Sequence, residues 1–137
     1  MTNTEYIQIA KLNKTLFKQI NIPLLTDEVI LTYEKLHHIT DRRRELFKQI
    51  KDMLPDVIYQ PDYIYQDWND RDNTVVLVKM VGYKMYLNVV IKIAILYDKK
   101  HTKNSIITII KIGEKTFNKI MKNKNNYLLI KNIDKCE

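Results

Sequence analysis

Helical spacing before Pro61 and strand-like runs after it predict an α+β fold, with helices first and an antiparallel meander second. Ile7, Ala10, Phe17 and Ile20, then Leu36 and Ile39, recur at roughly helical intervals. Residues 74–81, 84–96 and 105–112 are instead rich in β-branched and aromatic side chains. The connections between these three runs are short, which permits hairpins and excludes parallel crossovers.

The elements follow in order. Residues 5–20 read as a helix capped by Thr4 and ended by Asn21-Ile22-Pro23. Val29-Ile30-Leu31 reads as a short strand, and Thr32 as the cap of a helix from Tyr33 to about Arg43. Leu46, Phe47, Ile50, Met53 and Leu54 continue a helical spacing until Pro55, which suits the first turn of another helix. Tyr63-Ile64-Tyr65 is a strand, and Gly82-Tyr83 a tight hairpin turn between two longer ones. Asp98 to Asn104 is a loop, Thr116 to Lys122 a final helix, and Tyr127 to Ile130 one more strand.

The 137 residues, 45% of them hydrophobic, suffice for one domain with a sizeable core. Residues 1–25 read as an N-terminal helical extension and residues 26–131 as the core of that domain. A net charge of +7 favours anionic partners such as RNA, DNA or a membrane face, although an AT-rich coding bias toward Lys, Ile and Asn produces the same composition. Lys79, Lys84, Lys92 and Lys99 interrupt the most apolar region, so no run there suits a bilayer. The start, Met1-Thr2-Asn3-Thr4-Glu5, lacks the basic and apolar segments of a signal peptide, and the expected compartment is the cytoplasm.

Several chemistries lack their residues. Cys136 is the single cysteine, and three histidines give no zinc-ligand spacing. Asp67, Asp70 and Asp72 lack the glycine and terminal glutamate of a calcium loop. No phosphate loop, dinucleotide fingerprint or nucleophile elbow is present. No cofactor is implied.

What remains is a titrating imidazole among cations, the equipment for metal-free cleavage of a phosphodiester. His37 and His38 point about 100° apart on a helix, so one is expected to face the sheet and the other solvent. His38 shares a flank with Asp41 and Arg42, and Arg43 and Arg44 complete a basic cluster. As an isolated cluster this describes a solvated helix face. As a site, His38 moves the proton while an arginine fork binds two phosphate oxygens. Lys79 shares a strand face with Leu77 and Val81, and Lys92 with Val90 and Ala94. Each either snorkels from a sheet edge or projects into a cleft. Ser105 and Thr108 are three residues apart and should face opposite sides of the sheet. Tyr59, Tyr63, Tyr65 and Trp68 can stack on bases, although Tyr63 reads better as packing beneath a loop.

Taken together, Val29-Ile30-Leu31, His38-Ile39, Arg42-Arg43, Pro61-Asp62-Tyr63-Ile64 and Ile106-Ile107-Thr108 resemble the phage- and mobile-element-borne nucleases of the barnase–EndoU–colicin–RelE (BECR) superfamily. The resemblance covers Val29 to Ile130. It implies N-terminal helices packed on a curved, four- to five-stranded antiparallel sheet of RelE-like type, and a metal-independent ribonuclease of toxin type. In that reading the RNA 2′-OH attacks the adjacent phosphate. His38 serves as base or acid; Arg42, Arg43, Lys79 and Lys92 hold the developing charge; and Thr108 positions an oxygen. Arg43 stands where the family pattern carries a second histidine, although RelE-like members rely mainly on arginines and lysines. The implied partners are tRNA or mRNA and an antitoxin or immunity protein. The alternatives are a non-catalytic member that binds RNA or protein through the same basic cleft, and a structural accessory protein whose charge reflects composition alone.

Overall fold

The computed structural model describes residues 5–66, 73–122 and 129–131. Along them run β1 (Tyr6–Lys11), α1 (Lys14–Gln19), β2 (Glu28–Thr32), α2 (Tyr33–Ile50), α3 (Leu54–Tyr59) and β3 (Tyr63–Gln66). There follow β4 (Thr74–Gly82), β5 (Met85–Lys92), β6 (Asn104–Gly113), α4 (Glu114–Lys122) and β7 (Leu129–Lys131). The class is α+β, and the strands form one sheet in the order β1-β2-β6-β5-β4-β3-β7.

The strands β3 to β6 are consecutive antiparallel neighbours, as their short connections require. The sheet as a whole is mixed, which corrects the antiparallel expectation: β2 lies parallel to β6 through Val29↔Asn104 and Ile30↔Ser105. The long excursion through α2, α3 and the meander supplies the crossover that a parallel pair needs.

The N-terminal helix over 5–20 is also corrected. Ile7 and Ile9 are half-buried while Tyr6 and Gln8 are exposed, a period of two that makes this segment β1. It pairs antiparallel with β2, with a bulge between Gln8 and Ala10. The helix begins only after Asn13, whose Oδ1 accepts the Thr15 N–H (3.0 Å) and the Leu16 N–H (3.4 Å). Asn21, at φ 60°, ends it in the left-handed region that asparagine tolerates. Leu12, Leu16, Phe17 and Ile20 fill the same core as Leu54, Ile58 and Leu77, so this segment is built into the domain and does not form a helical extension.

Thr32 caps α2 as its sequence predicts, accepting the Lys35 N–H at 3.1 Å. The helix expected to stop near Arg43 does break there: Arg43 has non-helical angles (φ −138°, ψ 50°), so α2 is two helical segments that meet at a kink, the second carrying the helical spacing expected beyond it. Three residues earlier the Thr40 hydroxyl donates back to the Leu36 carbonyl (2.9 Å), a bond that bends helices. Pro55 occupies the first turn of α3. The hairpin turn falls on Tyr83-Lys84, one residue later than expected, with Lys84 at φ 56° and a bulge between Met80 and Gly82. The strand expected over 84–96 stops at Lys92, because Ile95 leaves the meander to bridge Leu24. Of the strand expected over 127–130, Tyr127 and Leu128 lie outside the described residues.

Helices cover both faces of the sheet. On one, Ile39, Leu54 and Ile58 from α2 and α3 meet Leu77, Leu87, Ile91 and Ile109. On the other, Phe117 of α4 stacks on Tyr86 (centroids 3.9 Å apart, planes within 4°) and tilts against Tyr63. Tyr63 thus packs, although against α4 and not beneath a loop, and the α2–α3 face is the main core.

Candidate nucleic-acid interface

Where β4, β5 and β6 end together, register sets Thr74 beside Lys92 and Lys92 beside Ser105. Leu87, Val89 and Ile91 of β5 are buried against α2 and α3, so alternation turns Lys92 to the opposite face. The row Thr74–Lys92–Ser105 opens into a cleft of about 740 Å³, whose wall also carries Lys99, Thr102 and Lys103. An ammonium flanked by hydroxyl-bearing neighbours and further lysines suits an anion such as a phosphate group.

The cleft is held by its backbone. Asn104 is fully buried; its Oδ1 accepts the Ala94 N–H and its Nδ2 donates to the Thr26 and Glu28 carbonyls, all at 2.8 Å. One amide thereby ties the chain leaving β5, the start of β6 and the approach to β2. The Asp98 carboxylate accepts the Ile95 N–H (2.8 Å), and the Thr102 N–H donates to the Lys99 carbonyl (2.9 Å), which fixes two successive turns. These turns carry Lys99 and deliver the chain to Lys103.

Lys103 donates to Glu28 at 2.7 Å. That hydrogen bond, reinforced by charge attraction, holds the Glu28 carboxyl below the ordinary carboxylate value and the Lys103 ammonium above the ordinary lysine value. The pair's contribution to stability is therefore lost at both ends of the pH range. It disappears as pH falls through the lowered Glu28 pKa and as pH rises through the raised Lys103 pKa. Between them the pair is intact, and Glu28 offsets the Lys103 charge. Glu28→Gln should consequently tighten binding of a polyanion and steepen its salt dependence by about 0.7 in the log–log slope for a single strand. An anisotropy titration at several salt concentrations checks this; weaker binding would show that Glu28 positions Lys103 and does not restrain it.

Of the site residues proposed from the sequence, Lys92 alone lines this cleft. Both His37 and His38 are exposed, which corrects the expectation that one faces the sheet. Leu36 and Ile39 take the inward positions, and at 100° per residue both imidazoles fall outside them. Arg42 is exposed beside them, and Arg43 is half-buried at the kink. Lys79 lies on the face covered by α2 and α3, where its Nζ donates to the Gln60 carbonyl (2.7 Å) and sits 3.9 Å from the Asp56 carboxylate of α3. Lys92 and Thr108 share the opposite face. Ser105 and Thr108 also share it, contrary to simple alternation. Ser105 pairs with Lys92 and Thr108 with Val90, and a bulge between these pairs restores the phase. The register contribution of Thr74 and Ser105, and the lysines of the 98–104 loop, escaped the sequence reading. The signal available was only three lysines clustered after a strand that ends in Lys92.

Among the described residues, no helix is long and apolar enough to cross a membrane, and no three His, Cys, Asp or Glu side chains gather to hold a metal. No family model, curated protein or solved structure matches this chain.

Proposed function

We propose that the protein binds RNA in the cytoplasm through the lysine cleft at the ends of β4, β5 and β6. The Thr74–Lys92–Ser105 row beside Lys99 and Lys103 carries this reading, and the +7 net charge supplies the long-range attraction. Titrating labelled RNA at increasing salt tests it. Log affinity should fall by about 0.7 per phosphate neutralised for each unit of log salt. A flat response would overturn the proposal.

A second reading, the metal-independent toxin-type ribonuclease, is supported by the element order. The strand β2, the helices α2 and α3 and the meander β3 to β6 follow the succession that the BECR resemblance implies. In it the exposed His38, flanked by Arg42, moves the proton of 2′-OH attack on RNA at the outer surface of α2, and an antitoxin covers that surface. Cleavage of total tRNA and mRNA should then persist in EDTA. His38→Ala should lower it about 10²–10⁴-fold, and His37→Ala far less. RNA that is retained but never cut leaves the binding reading alone.

A further inference from the structure

We infer that the cleft takes single-stranded rather than duplex nucleic acid, with a base stacked on Tyr97 at its rim; this rests on the reading of the cleft as an RNA site. Tyr97 is 88% exposed and its neighbour Leu96 is 59% exposed, in a domain that buries most of its large apolar side chains. They stand immediately before Asp98 and Lys99, which line the cleft. The turn that presents them is firmly held. The Leu96 N–H donates to the Pro23 carbonyl and the Asp98 N–H to the Ile95 carbonyl, both at 2.9 Å. Asp98 also closes the turn through the Ile95 N–H at 2.8 Å, and Ile95 bridges Leu24.

A solvent-exposed aromatic ring two residues from a lysine that lines the cleft has a specific use. Every base has a π-face, so a ring offers sequence-tolerant stacking while the lysines follow the backbone. In a duplex those π-faces are already stacked on neighbouring pairs, and the ring has nothing to receive. Two residues of backbone span at most about 7 Å, so Tyr97 and Lys99 address the same or adjacent nucleotides. The pinned turn loses little freedom on binding, which favours the stacked complex.

The test is anisotropy with labelled oligo-rU, labelled oligo-dT and a duplex of equal length, using wild type, Tyr97→Ala and Tyr97→Phe, each checked for fold by circular dichroism. Single strands should bind more tightly than duplex, and preference between rU and dT tells RNA from DNA. Tyr97→Ala should weaken single-strand binding by about 5- to 150-fold, the factor that stacking one base supplies. Duplex binding should stay unchanged, and Tyr97→Phe should retain wild-type affinity. Single-strand binding by Tyr97→Ala at wild-type strength, or equal affinity of wild type for strand and duplex, overturns this inference while leaving nucleic-acid binding intact. Failure of wild type to bind any of the three oligonucleotides overturns the underlying reading instead.

Discussion

Asn104→Leu should lower the unfolding free energy by about 3–5 kcal/mol, because it strands one buried N–H and two carbonyls at once. The side chain is fully buried and leucine has the same branched heavy-atom skeleton and is no smaller, so the loss comes from polar groups without partners and not from a void. Asn104→Asp tests the same point with the acceptor retained, since a carboxylate cannot donate to the Thr26 and Glu28 carbonyls. It also places a charge in a buried site. Urea unfolding is the measurement: the midpoint should fall sharply in both variants at an unchanged slope. A change below about 1 kcal/mol would mean that water replaces the amide and that the cleft floor is not pinned as described. Against a total stability of typically 5–15 kcal/mol, the expected loss is large enough to leave part of the protein unfolded at physiological temperature.

Lys92→Glu should weaken RNA binding by about 10- to 100-fold at low salt, the scale of one charge-assisted hydrogen bond lost and a repulsion added. Lys92 is exposed at the last position of β5, so the fold should survive. Lys111→Glu makes the same change in net charge on the other exposed end of β6, away from the cleft, and should weaken binding much less. The contrast separates a local site from the general positive field, which both substitutions reduce equally. Equal losses would assign binding to net charge and remove the cleft from the account. For Lys92→Gln the salt slope should fall by about 0.7, one phosphate contact fewer.

The helices α2 and α3 were legible because their caps and breakers are local. Thr32 can reach the Lys35 N–H whatever the rest of the chain does, and Pro55 needs only a first turn. The meander was legible because β-branched runs joined by short connections have few alternatives to hairpins. β1 was misread because Ile7, Ala10, Phe17 and Ile20 fit a helix, while alternating Tyr6, Ile7, Gln8 and Ile9 fit a strand. A place beside β2 decided between them. No local signal announces that neighbour, since its partner residues Thr32 to Glu28 lie a helix and a turn away.

The sequence by itself determined the α+β class, the cap of α2 and its break near Arg43, the hairpins of the meander and the basic character of the chain. It also named Lys92 as a candidate for a cleft. The tertiary structure alone decided which groups meet. Strand register brings Thr74 and Ser105 beside Lys92, a bulge turns Thr108 to their face, and Lys79 faces the opposite layer with α3. The two histidines are carried to the outer surface of α2, because Leu36 and Ile39 claim the inward positions. The reason is that a site is a set of distances between elements. Periodicity encodes which face of an element is apolar, whereas register, bulges and the parallel β2–β6 pairing arise only when the faces are packed together.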